Sequence, residues 1–424
     1  MKRPFFALTQ QRLCYDISEP DPKEPKQIPL PSNLILLLHD PIDDARETSI
    51  KTGDKVEKGG KLHLYKDSDE YTVSPAAGTI KVIDTYSDDF GNTSTYLVIH
   101  TDPGLTAGTD ARKYELKDTI ASADEYLRTL PGAPPLKTLA DPGMKINTLV
   151  ITCGDTDLLS TTQQYMALKF MDEIKEGIQV LKRITPVSRF CITIPESLKA
   201  DIDTAEVFRT SMAYPSNLPQ MILKDHLNLV LPAGKTPEDM GICFMRAEAV
   251  VSLARAYKTK TACHEKVLTV IGKQGTPYRV TATIGTPLRR ILNAFSIQAD
   301  EQDRVVIGGP MKGFATYTVH HPVQPDMDTV IVQDKNNIPE LSDNPCVNCG
   351  KCVRVCPVQV PVNILVRYLE AGLYEDAADR YDLLSCIECG LCAYVCTARI
   401  PIYQYIRLGK HELLKLRADA GDCQ

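Results

Sequence analysis

The sequence of 424 residues lacks a surplus of positive charge and any long apolar run, and each lack removes a class of function. Lys+Arg 48 against Asp+Glu 54 leaves a formal net charge of −6, so there is no basic excess to attract phosphate backbones, and nucleic acid is not expected as a partner. The longest apolar runs, Leu34–Leu38 and Ala249–Ala254 (broken by Ser252), fall far short of the about 20 residues that cross a bilayer. Met1-Lys2-Arg3 is not followed by the apolar core of a signal peptide. These lacks predict a cytoplasmic chain that reaches a membrane only through partners. A hydrophobic share of 43% with 24% charged residues also excludes a disordered or collagen-like chain. The length allows roughly two to four domains.

What the chain does have is cysteine in one place. Of 14 cysteines, eight fall within Cys346–Cys396, while Cys14, Cys153, Cys191, Cys243, Cys263 and Cys423 are scattered. A disulfide scaffold is normally a short secreted chain with its cysteines spread through it. Clustering in a long chain points instead to metal or cluster ligation under reducing conditions. The scattered cysteines read as small buried hydrophobes.

The order of composition suggests six segments. Residues 1–33 form an extended arm, because five prolines between Pro20 and Pro31 prevent regular hydrogen bonding. Residues 34–101 read as a small all-β unit whose short β-branched runs are divided by the turns Thr52-Gly53-Asp54, Lys58-Gly59-Gly60 and Ser74-Pro75-Ala76-Ala77-Gly78. That pattern is similar to the lipoyl or biotinyl hammerhead, but Ser68-Asp69 stand where the modified lysine belongs, so the unit is expected to be scaffold rather than carrier. Residues 102–144 are a linker. Residues 145–262 alternate strand and helix: strands are expected at Ile146–Thr152, Phe190–Ile194 and Leu227–Leu231, with helices over Thr161–Gln179 and Phe244–Tyr257. Residues 263–335 return to strand character around a helix at Thr286–Phe295, as in a β-grasp. Residues 336–424 read as mainly helical apart from cysteine loops. The fold class is therefore α+β and multidomain.

The chemistry lies in a duplication. Cys346-x2-Cys349-x2-Cys352-x3-Cys356-Pro357 recurs forty residues later as Cys386-x2-Cys389-x2-Cys392-x3-Cys396, and Gly350, Val355 and Pro361 recur as Gly390, Val395 and Pro401. Cubane iron–sulfur clusters need thiolates converging from several directions, and tight two-residue loops wrap three of them around one corner. The glycines permit close approach of backbone, and the fourth cysteine is expected to open a helix and to ligate the opposite cluster. The expected ligands are Cys346, Cys349, Cys352 and Cys396 for cluster A, and Cys386, Cys389, Cys392 and Cys356 for cluster B. A pair of zinc sites is the rival, but zinc fingers pair one Cys-x2-Cys with distant ligands, whereas here four thiols fall within eleven residues twice. Helical spacing over Val362–Leu369 and Glu375–Leu383 suggests the helical variety of dicluster ferredoxin found in larger redox enzymes.

Taken whole, the chain resembles the C-subunit family of the Rnf electron-transport complex. The resemblance rests on segment order, on Gly308-Gly309-Pro310-Met311-Lys312-Gly313, and on Cys386-Ile387-Glu388-Cys389-Gly390-x-Cys392-Ala393-Tyr394-Val395-Cys396. It implies a lipoyl-like β hammerhead, an α/β nucleotide-type domain, a β-grasp of the soluble-ligand-binding type and a helical dicluster ferredoxin domain. It also implies a peripheral protein at the cytoplasmic face of the inner membrane. There, membrane partners move ions while electrons pass between NADH and ferredoxin, or another redox partner.

The family's flavin loop is glycine-rich, yet the matching place here, Leu130-Pro131-Gly132-Ala133-Pro134-Pro135-Leu136-Lys137, has three prolines that remove three N–H donors. Asp155 and Asp157 keep two carboxylates of the motif after the next strand, and such residues commonly serve as N-caps and turn formers. FMN and NADH are thus not expected to bind in the family's ordinary way. Two alternatives stand beside electron relay: a flavin-dependent NADH reductase of the cobalamin-reductase type, and a non-redox scaffold. His320-His321 reads as surface or loop rather than a metal pair. Ile402, Ile406, Leu413, Leu414 and Leu416 suggest an amphipathic terminal helix docking on its own domain.

Overall fold

The computed structural model describes residues 20–88, 90–102, 112–200 and 202–421. Cys14, Cys423, the first nineteen residues of the arm and 103–111 of the linker lie outside them. The chain divides into two compact units, one of Ser18–Leu227 with Pro237–Asn336, the other of Asn337–Gln424 with Asn228–Thr236.

The larger unit opens with β1 (Lys26–Gln27), followed by β2 (Asn33–Leu38), β3 (Lys55–Val56), β4 (Lys61–Leu62), β5 (Thr72–Val73), β6 (Gly78–Ser87) and β7 (Thr93–Thr101). A four-stranded antiparallel sheet runs β2-β7-β6-β3, and β4 pairs with β5. In β2 the side chains of Leu34, Leu36 and Leu38 are buried while their neighbours are less so, the alternation of a sheet with one face on a core. The helices α1 (Ile120–Leu127) and α2 (Leu136–Ala140) follow.

Next come β8 (Thr148–Thr152), α3 (Thr162–Lys169), α4 (Met171–Ile184), β9 (Arg189–Pro195), β10 (Glu206–Thr210), α5 (Pro219–His226), β11 (Ile242–Arg246) and α6 (Ala247–Thr259). All four strands are parallel in the order β10-β9-β8-β11. Every residue of β8 is buried, as befits a central strand covered on both faces. Helix α4 has Asp172 and Glu173 in its first turn and Lys182 and Arg183 in its last, which suits the helix dipole, and it buries Ile174, Ile178 and Leu181. Gly177 lets it approach α6, since a Cβ there would sit 2.5 Å from the Val250 carbonyl oxygen.

Three expectations are corrected here. Leu227–Leu231 is not a strand: Asn228 takes φ +54, and Leu229 and Val230 are exposed, so the run is apolar without a sheet partner. The sheet takes Glu206–Thr210 and Ile242–Arg246 instead, and the helix placed from Phe244 begins at Ala247. The single helix expected over Thr161–Gln179 is two, broken where Phe170 leaves helical geometry with φ −124 and ψ 32.

The last layer of this unit is β12 (Glu265–Ile271), β13 (Pro277–Thr283), α7 (Leu288–Ala294), β14 (Arg304–Ile307), β15 (Phe314–Thr316) and β16 (Thr329–Gln333). The mixed six-stranded sheet runs β1-β13-β12-β16-β14-β15. Leu288, Ile291 and Leu292 of α7 pack on Leu268, Val270, Val280 and Val330 of the sheet. Lys266 is fully buried and bonds Glu248 and Asp328, the latter at 3.0 Å, while Gln163 Nε2 donates to Asp328 at 3.0 Å. A buried charge is tolerable only with such partners.

The smaller unit is helical: α8 (Lys351–Val355), α9 (Val362–Glu370), α10 (Tyr374–Tyr381), α11 (Leu391–Tyr394) and α12 (Ile402–Gly421). Its core joins Val362, Leu365, Val366 and Leu369 to Ile402, Ile406 and Leu413, so the terminal helix does bury its stripe within its own unit. Leu414 and Leu416 remain exposed. Among the described residues no helix is long and apolar enough to cross a membrane.

Candidate metal centre

The two cysteine motifs fold alike. Asn348 and Gly350 in the first, and Glu388 and Gly390 in the second, all have positive φ (54, 71, 52 and 73), as do Gln359 and Arg399 further on. This left-handed backbone turns the loop inward after each first cysteine, and the amides of Asn348 and Glu388 donate to the sulfurs of Cys346 and Cys386, both at 3.4 Å. Gly350 and Gly390 therefore serve chiefly to supply positive φ at the residue before a helix. The third cysteines, Cys352 and Cys392, lie buried inside α8 and α11.

The fourth cysteine does not open a helix, contrary to expectation. Cys356 caps the C-terminus of α8, and Cys396 follows the turn after α11, with the next helices starting only at Val362 and Ile402. The prolines at 357, 361 and 401 favour extended backbone before those helices, which moves the starts downstream.

A cavity is lined by Cys346, Cys349, Cys352 and Cys396 together with Asn363, Val366, Thr397 and Ile402. Cys386, Cys389 and Cys392 each lie within electrostatic reach of Cys356, and Cys392 also of Cys352; burial pushes Cys386 up to about 11, Cys389 to about 12, and Cys392 well up. Cys349 is the exposed member of the first group, and Thr397 holds it below the usual thiol range, its Oγ1 standing 3.4 Å from the sulfur. All eight are free thiols. Among the described residues no three Cys, His, Asp or Glu side chains converge closely enough for one metal ion, but a cubane spreads its four thiolates over four irons and asks for no such convergence. Eight free thiols, inward amides and apolar walls fit a pair of cubane clusters. Lys410 of α12 ties the second loop, donating to the Cys386 carbonyl at 2.7 Å and to Glu388 at 2.6 Å. No spacing in the sequence announces that contact.

Elsewhere in the larger unit, the residues at the matching flavin loop are packed among their own neighbours. Gly132 (φ +88) donates its amide to the Pro325 carbonyl at 2.8 Å, and a Cβ there would collide with the backbone of Ala249. Asp155 caps α3, accepting from the amides of Gln163 and Gln164 at 3.0 and 3.2 Å. Asp157 accepts from the amides of Met311 (3.1 Å) and Lys312 (2.7 Å), so its carboxylate fills the Gly308–Gly313 loop, and burial pushes it up to about 6. His321 is buried with Nδ1 3.3 Å from the Tyr86 hydroxyl, while His320 is exposed, so the two do not converge.

Comparison with known proteins agrees with this architecture. The family model of the 4Fe-4S dicluster domain matches residues 338–397. The C-subunit of the ion-translocating oxidoreductase complex of Vibrio cholerae serotype O1 (strain O395) is 28% identical over 361 residues, 78% of this chain and 46% of that protein. The C-subunit of the proton-translocating ferredoxin:NAD(+) oxidoreductase complex of Clostridium ljungdahlii is 23% identical over 407 residues, 91% of this chain and 89% of that protein. The chain thus spans about half the length of the Vibrio relative. Among solved structures, a chain of an NAD+-reducing [NiFe]-hydrogenase overlays with a TM-score of 0.42 at 12% identity, covering 69% of this chain and 64% of that one, a likeness too slight to carry an argument. Iron–sulfur clusters are this chain's cofactors, and by its relatives and its dicluster domain it is similar to the C-subunits of ion-translocating oxidoreductase complexes.

Proposed function

We propose that this chain is an electron-transfer subunit of a membrane-bound ion-translocating complex, relaying electrons through two [4Fe–4S] clusters. Each cluster, when bound, stores and releases one electron at a time. The protein's part is to hold the two groups of thiols, shield them with Val366, Ile400 and Ile402, and aim amides at sulfur. Cluster A takes Cys346, Cys349, Cys352 and Cys396, and cluster B takes Cys386, Cys389, Cys392 and Cys356. The observation that carries this reading is the cavity in which three thiols of the first motif meet the last thiol of the second. Cys396→Ala should therefore abolish the EPR signal of cluster A and spare cluster B. Selective loss of the cluster held by Cys386 and Cys389 would refute the assignment.

Around that relay we assign residues 34–101 to a hammerhead scaffold, 145–262 to an α/β domain, 263–335 to a β-grasp and 336–424 to the ferredoxin-like domain. The partners are other subunits of the complex and a ferredoxin or other redox protein, met at the cytoplasmic face of the membrane. NADH oxidation is assigned to a partner, because Gly132 and the Gly308–Gly313 loop spend their backbone amides on Pro325 and Asp157. Stoichiometric FMN in the isolated protein, with NADH-dependent bleaching of its clusters, would overturn this part and favour the reductase.

A further inference from the structure

The forty-residue repeat matches Asn348 of the first cysteine loop with Glu388 of the second. Both take positive φ, and both donate their amide at 3.4 Å to the cysteine sulfur two residues before. Their side chains differ in charge, and each is held from a different helix. Asn363 Nδ2 of α9 donates to Asn348 Oδ1 at 2.7 Å, one neutral group on another. Lys410 Nζ of α12 donates to Glu388 Oε1 at 2.6 Å, an ion pair, and to the Cys386 carbonyl at 2.7 Å. The side chains of that pair are 21% and 34% exposed, so water and salt screen them only in part. Both charges lie within electrostatic reach of the Cys386 sulfur.

A cluster gains one negative charge on reduction, so an unpaired carboxylate beside a ligand sulfur opposes reduction and an unpaired ammonium favours it. Glu388 and Lys410 sum to zero, the net charge that Asn348 brings to the first loop unaided. Tethering a loop to a helix needs no charge, since Asn363 holds the first loop with an amide. We propose that Lys410 is a charge-balancing residue of the second cluster site, cancelling Glu388 so that this cluster stays reducible in the range of its repeat, a role that rests on the two-cluster relay.

The test uses the full chain with its clusters, purified anaerobically and titrated with dithionite, each cluster being followed by its EPR signal. Lys410→Met keeps the apolar stem and removes the charge. It should shift the midpoint of the cluster held by Cys386 and Cys389 downward by about 59 mV, a tenfold change in its oxidised-to-reduced ratio, and leave the other cluster in place. Lys410→Arg should hold the wild-type midpoint. Glu388→Gln should move it upward, and combining Lys410→Met with Glu388→Gln should return it to the wild-type value, because the charges again sum to zero. A Lys410 that only tethers the loop predicts no such recovery, since the double variant has lost both ends of the contact. Should Lys410→Met fail to retain its cluster, the upward shift in Glu388→Gln, which keeps Lys410, decides alone. An unchanged midpoint in Lys410→Met or Glu388→Gln, a lowered one in Lys410→Arg, or a double variant as low as Lys410→Met would each overturn the proposal while the relay stands. Wild-type protein with no cluster signal that Cys386→Ala removes would overturn the relay and the proposal together.

Discussion

The two units of this chain hold themselves together by different means. The larger one buries all of Thr148–Thr152 and all of Arg189–Pro195 but Arg189, and even seats a charged lysine inside a satisfied network. Around its cysteines the smaller one is built from short pieces: α8 has five residues and α11 has four, each less than two turns. Helices that short do not persist by themselves, because nucleation costs more than so few hydrogen bonds return. Cys352 and Cys392 belong to the core of the smaller unit. A region whose core contains its metal ligands is expected to depend on the metal for folding, whereas the larger unit should be indifferent to it.

The sharpest way to break that comparison is to remove iron. Structural metal sites in small domains supply on the order of 10 kcal/mol of folding free energy. Chelation with oxidative cluster loss should therefore unprotect the amides of Lys351–Val355 and Leu391–Tyr394 in hydrogen exchange, and leave those of Thr148–Thr152 protected. Loss of protection in both units together, or in neither, would erase the distinction.

The converse perturbation strikes the larger unit. Lys266→Met leaves the buried Glu248 without its cation and Asp328 with only Arg246, at 3.7 Å, and breaking a buried pair from one side costs about 3–5 kcal/mol. The unfolding free energy of the larger unit in urea should fall by that amount and its midpoint move to lower concentration, with the cluster absorbance per folded protein unchanged. Gly177→Ala sharpens the same point at smaller cost. Its new methyl group meets the backbone of Val250, so α4 must shift away from α6, an overpacking penalty of about 1–3 kcal/mol. An unchanged midpoint would mean that the two helices are free to separate at no cost.

Legibility in the sequence follows the same divide. The cysteine loops can be read because each is local: three-residue steps, a glycine and a repeat of forty fix the chemistry within one turn of chain. Strands β8 and β9 are legible because burial on both faces gives them mainly apolar centres, Leu149–Ile151 and Phe190–Ile194. Strand β10, Glu-Val-Phe-Arg-Thr, escapes because an edge strand is only half buried and reads as mixed polarity. Leu227–Leu231 misleads for the converse reason, since apolar content does not by itself supply a pairing partner. What joins distant residues leaves no pattern at all: Asp157 reaches Met311 across 154 positions, and Lys410 reaches Cys386 across 24.

The smallest expected effect tests whether the repeat in the smaller unit is also functionally symmetric. Thr397 stands where the first motif has Pro357, and proline has no N–H and no hydroxyl to offer. Sequence adjacency puts the hydroxyl beside Cys396; in the fold it lies 3.4 Å from Cys349, another ligand proposed for cluster A. When Cys349 is a metal-bound thiolate the hydroxyl must be the donor, and a hydrogen bond to sulfur favours the more negative, reduced state, which raises the potential. Pro357 offers no counterpart, so cluster A should be the easier of the two to reduce. Thr397→Val removes the hydroxyl while keeping the size and branching of the side chain, and a net hydrogen-bond contribution of about 0.5–1.5 kcal/mol corresponds to roughly 20–60 mV for one electron. Redox titration followed by EPR should show a downward shift of that size confined to cluster A. An unchanged or raised potential would leave Thr397 as a turn residue with no electronic role, and the two motifs as equivalent.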